Sequence, residues 1–243
     1  VTTRSRPTLL PALALAALVP VFIALGMWQS HRADEKQSLQ DQYDQRASEP
    51  ALQLGTSLQS AEALQFRHIV AHGKYDPDYQ VLIDNRVHQS VAGYHVVTPL
   101  KLEGGDTRVL VNRGWVPLGQ SRQVLPAIDS PAGAQEIRGV ATVPLEKPFT
   151  LGAMPVAGWQ PVWPHLDLKR YASSVPFAVQ PIVILLDPDA DAGFVRAWAR
   201  LDAGITMHKG YAFQWFALAV VAGAAVIYLM MCRRPPQRRK RKR

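Results

Sequence analysis

The side chains with the most chemical promise lie in the run 206–216, Thr-Met-His-Lys-Gly-Tyr-Ala-Phe-Gln-Trp-Phe. His208, Tyr211 and Trp215 are three and four residues apart, so on a helix they share one face. The run leads into an uncharged apolar stretch, 210–232. An imidazole at a membrane edge, with aromatic neighbours, is a candidate axial ligand for haem iron. Tyr, Trp and His are also the ordinary residues of a membrane interface. Spacing alone does not choose between the two.

Other chemistry is sparse. His68 and His72 have the spacing of a helical metal pair, but their segment reads as a strand. There a four-residue step is about 13 Å, too far to share one ion. His88, His95 and His165 show no ligand spacing and read as surface or hydrogen-bonded residues. Cys232 is the single cysteine. It excludes an internal disulfide, a two-cysteine copper site and a Cys-rich zinc site within one chain. There is no Gly-x-Ser-x-Gly elbow, Gly-rich phosphate loop or His-Glu-x-x-His helix. With no nucleophile–base pair visible, the chain is not expected to be an enzyme.

The elements that must position these residues are two spans and the domain between them. Residues 7–30 carry no charge, with an apolar heart at 9–28; the second stretch is 210–232. About 20 helical residues at 1.5 Å rise cross roughly 30 Å of hydrocarbon. Arg4 and Arg6 precede the first span; Arg233, Arg234, Arg238, Arg239, Lys240, Arg241, Lys242 and Arg243 follow the second. These tails hold none of the 19 acidic residues, so they account for the whole net charge of +8. The positive-inside rule then predicts cytoplasmic tails at 1–8 and 233–243, transmembrane helices at 9–28 and 210–232, and a water-facing domain at 29–209 on the far side. In a bacterium that is an inner-membrane, multi-pass protein with a periplasmic domain; in a mitochondrion the domain would face the intermembrane space. The first span is expected to be an uncleaved anchor, because it is long for a signal core and ends in Leu-Gly-Met-Trp-Gln without a small-x-small site. The basic tail reads as a topology and lipid-contact signal rather than a nucleic-acid site.

Within the domain, 31–49 is rich in helix formers and continues the first span as a juxtamembrane helix ended by Pro50. Strand-like runs follow at 66–73, 79–83, 94–102, 108–115 and 136–143, with a Gly-Gly-Asp hairpin turn at 104–106. Residues 144–164 have no period and read as an irregular loop. A last strand, 178–186, contains Pro181 and is placed at a sheet edge. Residues 194–201 read as a short helix leading to the second span. The expected fold is an α+β membrane protein: two transmembrane helices flanking a mainly antiparallel β domain, barrel-like or a twisted sheet.

Several of these runs carry a resemblance. Leu25-Gly26-Met27-Trp28-Gln29 with Arg32 and Lys36, Gly73-Lys74-Tyr75, the run Gly93–Leu100, Asn112-Arg113-Gly114-Trp115, and Met207-His208 with Tyr211–Trp215 resemble, in order, the Surf1/Shy1 family of cytochrome c oxidase assembly factors. The resemblance covers roughly residues 20–220. It implies a protein that helps mature the haem-copper subunit of a terminal oxidase. It also implies haem a as cofactor, with His208 as the haem-iron ligand and Tyr211 and Trp215 beside it. Arg32, Lys209 and Arg113 become cations for the propionates; interfacial snorkelling is the alternative for Arg32 and Lys209. Asn112, Gly114 and Trp115 read more readily as turn and core residues. The implied partners are the oxidase catalytic subunit, a haem a synthesis enzyme and the lipid bilayer, with no nucleic acid. A haem-free scaffold holding the immature subunit is the competing function.

Overall fold

The computed structural model describes residues 9–119, 122–144, 159–189, 194–198 and 204–231. The two tails, Cys232, residues 145–158 of the irregular run and the end of the helix expected over 194–201 lie outside them. The chain divides into two compact units, one of residues 1–41 with 200–243, the other of residues 42–199.

The first unit holds one helix and most of another, whose residues 42–47 fall in the second unit. Helix α1, Leu9–Ala47, is 39 residues long and runs without a break through Pro20. The second, α4, spans Ile205–Met231. Only 11% and 17% of the most apolar windows of the two long helices are buried. Apolar helices with open faces need a non-aqueous surround, whereas the core helix of a soluble domain is covered by protein.

The second unit is built from short strands. They are β1 Leu52–Gln53, β2 His68–Tyr75, β3 Val81–His88, β4 Val91–Leu102, β5 Arg108–Pro117, β6 Gln135–Thr142, β7 Val162–Trp163 and β8 Val179–Leu186. Two short helices, α2 Ala61–Leu64 and α3 Leu168–Ser174, cross between them. The strands lie in the order β1-β2-β6-β8-β5-β4-β3-β7, and β2 also pairs with β4. That extra pairing closes β2, β6, β8, β5 and β4 into a ring, so the sheet is a small barrel with β3, β7 and β1 as extensions. Closure removes the edges that an open sheet must protect. It depends on Gly73, opposite Leu102 in the β2–β4 register. A Cβ there would sit 2.1 Å from the Lys101 carbonyl oxygen.

Alternation explains the cores. Ile69, Ala71, Leu100, Leu102, Val109, Val111, Ile137, Ile182, Ile184 and Leu186 point to one side and form the barrel interior. Val97, Leu110 and Val183, one residue out of phase, point outward. There they are covered by Trp163, Leu166 and Tyr171 from β7 and α3. Strand β5 is therefore buried on both faces, which is why its sequence shows no polar alternation.

Two expectations are overturned. Strand β8 lies between β5 and β6, not at an edge. Pro181 is tolerated because the β5–β8 register shifts there, and β8 meets β6 only from Val183 onward. The missing N–H falls where no ladder bond is due. The stretch 194–198 is extended rather than helical, with Val195 bridged to Trp115.

Candidate functional site

Helices α1 and α4 pack antiparallel within their unit. Ala12, Gly26 and Ala33 on one, and Ile205, Ala212, Ala219 and Ala222 on the other, are the buried positions, all small but Ile205. Small side chains bring the backbones close, the usual basis of helix pairing in lipid. At Gly26 the ring of Phe216 fills the space, and a Cβ would lie 2.7 Å from it. Phe22 stacks on Trp215 with ring centroids 5.8 Å apart.

Nearer the water, His208 faces α1. Its Nδ1 lies 2.7 Å from Oε1 of Gln29. A side-chain carbonyl only accepts, so this contact calls for a proton on Nδ1. The next residue, Lys209, donates to Oε1 of Gln37 at 3.4 Å. Arg32, one helical turn beyond Gln29, pairs with Glu35 at 2.7 Å, and His31 reaches the same carboxylate at 3.3 Å. His208 and Trp215 thus turn toward α1, while Tyr211 is 45% exposed beside them. Gln29 is a member of this constellation that its sequence position did not reveal.

The residues fit an amphiphilic porphyrin. A neutral imidazole with Nε2 unengaged is the ligating form. Below it the Phe22–Trp215 stack offers an apolar wall. Arg32 and Lys209 are the cations at this end of the helix pair, and Arg32 already shares the Glu35 carboxylate with His31.

Arg113 belongs to the other unit and is buried there, its Nε without a hydrogen-bond partner among the described residues. It is 1% exposed. Its guanidinium donates to Ser130 Oγ at 2.9 Å and to the Asp129 carbonyl at 2.7 Å, and lies against the rings of Tyr75 and Phe194. Arg113, between Asn112 and Gly114, is the extra residue of a β-bulge, marked by the register shift opposite Val96 and Val97. Asn112 Oδ1 accepts from the Gly114 N–H, Gly114 adopts φ of +126°, and Trp115 Nε1 donates to the Arg86 carbonyl. The bulge docks residues 194–198: Trp115 and Val195 exchange backbone bonds, and Arg196 Nε donates to the Arg113 carbonyl. The turn-and-core reading of Asn112, Gly114 and Trp115 describes these contacts.

A cleft of about 520 Å³ opens beside Tyr75 and Arg113, walled by Glu136, Arg138, Asp187 and Asp189. Burial pushes the Tyr75 hydroxyl up to about 12, so it stays protonated. Arg138 is paired with Glu136 at 2.6 Å. The charges of this wall are mixed and largely answer one another. His68 and His72 lie on β2 as a strand, facing Val140 and Glu136. Among the described residues no group of three or more His, Cys, Asp or Glu side chains stands together to hold a metal ion.

Two open-faced apolar helices joined to a small closed barrel define a membrane protein with one globular domain. Residues 16–220 match the model of the SURF1 family. The chain belongs to that family. Among relatives, a SURF1-like protein of Dictyostelium discoideum is 33% identical over 104 residues, covering 39% of this chain and 38% of its own length. A SURF1-like protein of Rickettsia felis is 27% identical over 217 residues, 86% of this chain and 91% of that protein. An uncharacterized SURF1-like protein of Mycobacterium bovis is 27% identical over 241 residues, 94% and 87% respectively.

Proposed function

We propose that this protein is a bacterial inner-membrane assembly factor for haem-copper cytochrome oxidase. It binds haem a through His208 and passes it to the oxidase catalytic subunit, with the haem a synthesis enzyme as donor partner. Its β domain faces the periplasm, and it performs no catalysis of its own. The observation that carries the reading is His208: a half-buried imidazole between two apolar helices, its Nδ1 engaged by Gln29 and its Nε2 without a partner among the described residues. His208 would hold haem iron through that nitrogen, the Phe22–Trp215 stack would cover apolar surface, and Arg32 with Lys209 would pair with the propionates.

His208→Ala removes the coordinate bond and leaves the apolar contacts. The haem-to-protein ratio of the purified variant should fall at least as far as the about 10- to 100-fold lost when a mere outer partner of a ligand is removed. His68→Ala and His72→Ala should keep wild-type haem. Wild-type occupancy in His208→Ala would reject ligation.

One observation favours the scaffold reading. The Asn-Arg-Gly-Trp bulge and its arginine serve the barrel's own packing, so the β domain offers a rigid body rather than a visible haem contact. A wild-type protein purified without haem, from cells making haem a, would select it.

A further inference from the structure

We propose that Gln29 is a positioning residue: its side-chain carbonyl holds His208 in the Nδ1–H tautomer and so leaves Nε2 as the nitrogen offered to iron. This rests on the haem reading above. The contact is short, 2.7 Å, and joins two helices 179 residues apart in sequence. A neutral imidazole has one donor and one acceptor, and whatever binds one nitrogen decides the state of the other. The carbonyls of α1 at this level are taken by its own helical ladder, so the acceptor has to be a side chain. Nearby polar groups are otherwise engaged: Gln37 receives Lys209, and Glu35 receives Arg32 and His31.

The choice of an amide also has a consequence for a carrier. A carboxylate behind an imidazole raises its basicity and strengthens its hold on a metal. It would also place a charge at the membrane boundary, which is costly. A neutral carbonyl orients the ring without strengthening it as much. That suits a protein that has to release its haem, since residence is governed by the off-rate.

The experiment uses the full chain in lipid nanodiscs, labelled with ¹⁵N-histidine, with the His208 signals assigned by their loss in His208→Ala. Without haem, the wild type should show a protonated Nδ1 and a bare Nε2. Gln29→Leu should give a tautomer mixture, and its affinity for added haem a, read from the Soret band, should fall roughly 10- to 100-fold. Gln29→Glu should restore the tautomer and the affinity, slow haem transfer to an apomyoglobin scavenger, and lower the haem midpoint potential. A protonated Nε2 in the wild type overturns the proposal even where haem binds. So does a Gln29→Leu protein of unchanged helix content that binds haem a as the wild type does. A wild type with the Nδ1–H tautomer that takes up no haem upholds the positioning role and ends the haem reading instead.

Discussion

Asn112 links two jobs at the level of single residues. Its Oδ1 shapes the bulge through Gly114, and its Nδ2 lies 3.3 Å from Nδ1 of His95. An amide N–H donates there, so His95 accepts at Nδ1 and is neutral. Burial first, and the charge of Arg86 second, hold its pKa down from the ordinary 6.5 to about 4. The unfolded chain therefore binds a proton near pH 6.5 that the folded chain refuses until about pH 4. Stability from this residue is whole above about 6.5 and is lost as pH falls through that window. The loss is on the order of 1 kcal/mol once solvent screening of the half-buried ring is allowed for. Melting of the wild type should drop more between pH 7.5 and pH 5 than melting of His95→Gln. Parallel drops would show that His95 is not the group being titrated.

The helix pair is an element held by volume rather than by bonds. Ala33 follows Gly26 by seven residues and Ala219 follows Ala212 by seven, the repeat of a left-handed seam. Gly26→Leu would drive a side chain into the Phe216 ring. Over-packing of this kind costs about 1–3 kcal/mol. It should lower the melting point in nanodiscs, and Phe216→Ala added to it should recover part of the loss. An unchanged melting point in Gly26→Leu would mean the helices do not meet there. The seam also shows what the sequence reveals and what it hides. Both spans and six main strands are legible because long apolar runs and period-two alternation are local properties. The hairpin turn at 104–106 is legible for the same reason. Strand β8 in the middle of the sheet is not, because Pro181 is excused by a register shift that only its neighbours create. Helix α3 is too short for a period to appear, though Asp167 caps it through the Arg170 N–H. At the site, His208 announces itself by type and place. Gln29 does not, because its partner is on the other helix and an amide at a membrane boundary has many uses. Arg113 is the converse: a charged residue in a recognisable motif suggests a ligand contact, while the fold uses it to fasten residues 129–130 to the barrel.

For the molecule as a whole, the proposed sidedness in the membrane rests on two independent facts. Within their unit, Gln29 faces His208 and Phe22 faces Trp215. The helices are therefore antiparallel, and the start of α1 and the end of α4 lie on one side. The sequence places its two basic clusters beyond those same two ends, at Arg4 and Arg6 and from Arg233 onward. A cluster of basic residues resists transfer across the membrane, and here both clusters pull the same way. The domain between the spans, with 17 basic against 19 acidic residues, carries no opposing bias. The expected outcome is that a reporter active only outside the cytoplasm works when fused after Ser130 and fails when fused after Arg243. Replacing the basic residues of 233–243 with Gln should weaken that asymmetry without altering the domain, since none of the domain's charge comes from the tail. A cytoplasm-only reporter that works after Ser130 would invert the membrane and move His208 to the opposite face, where a periplasmic haem hand-over has no route.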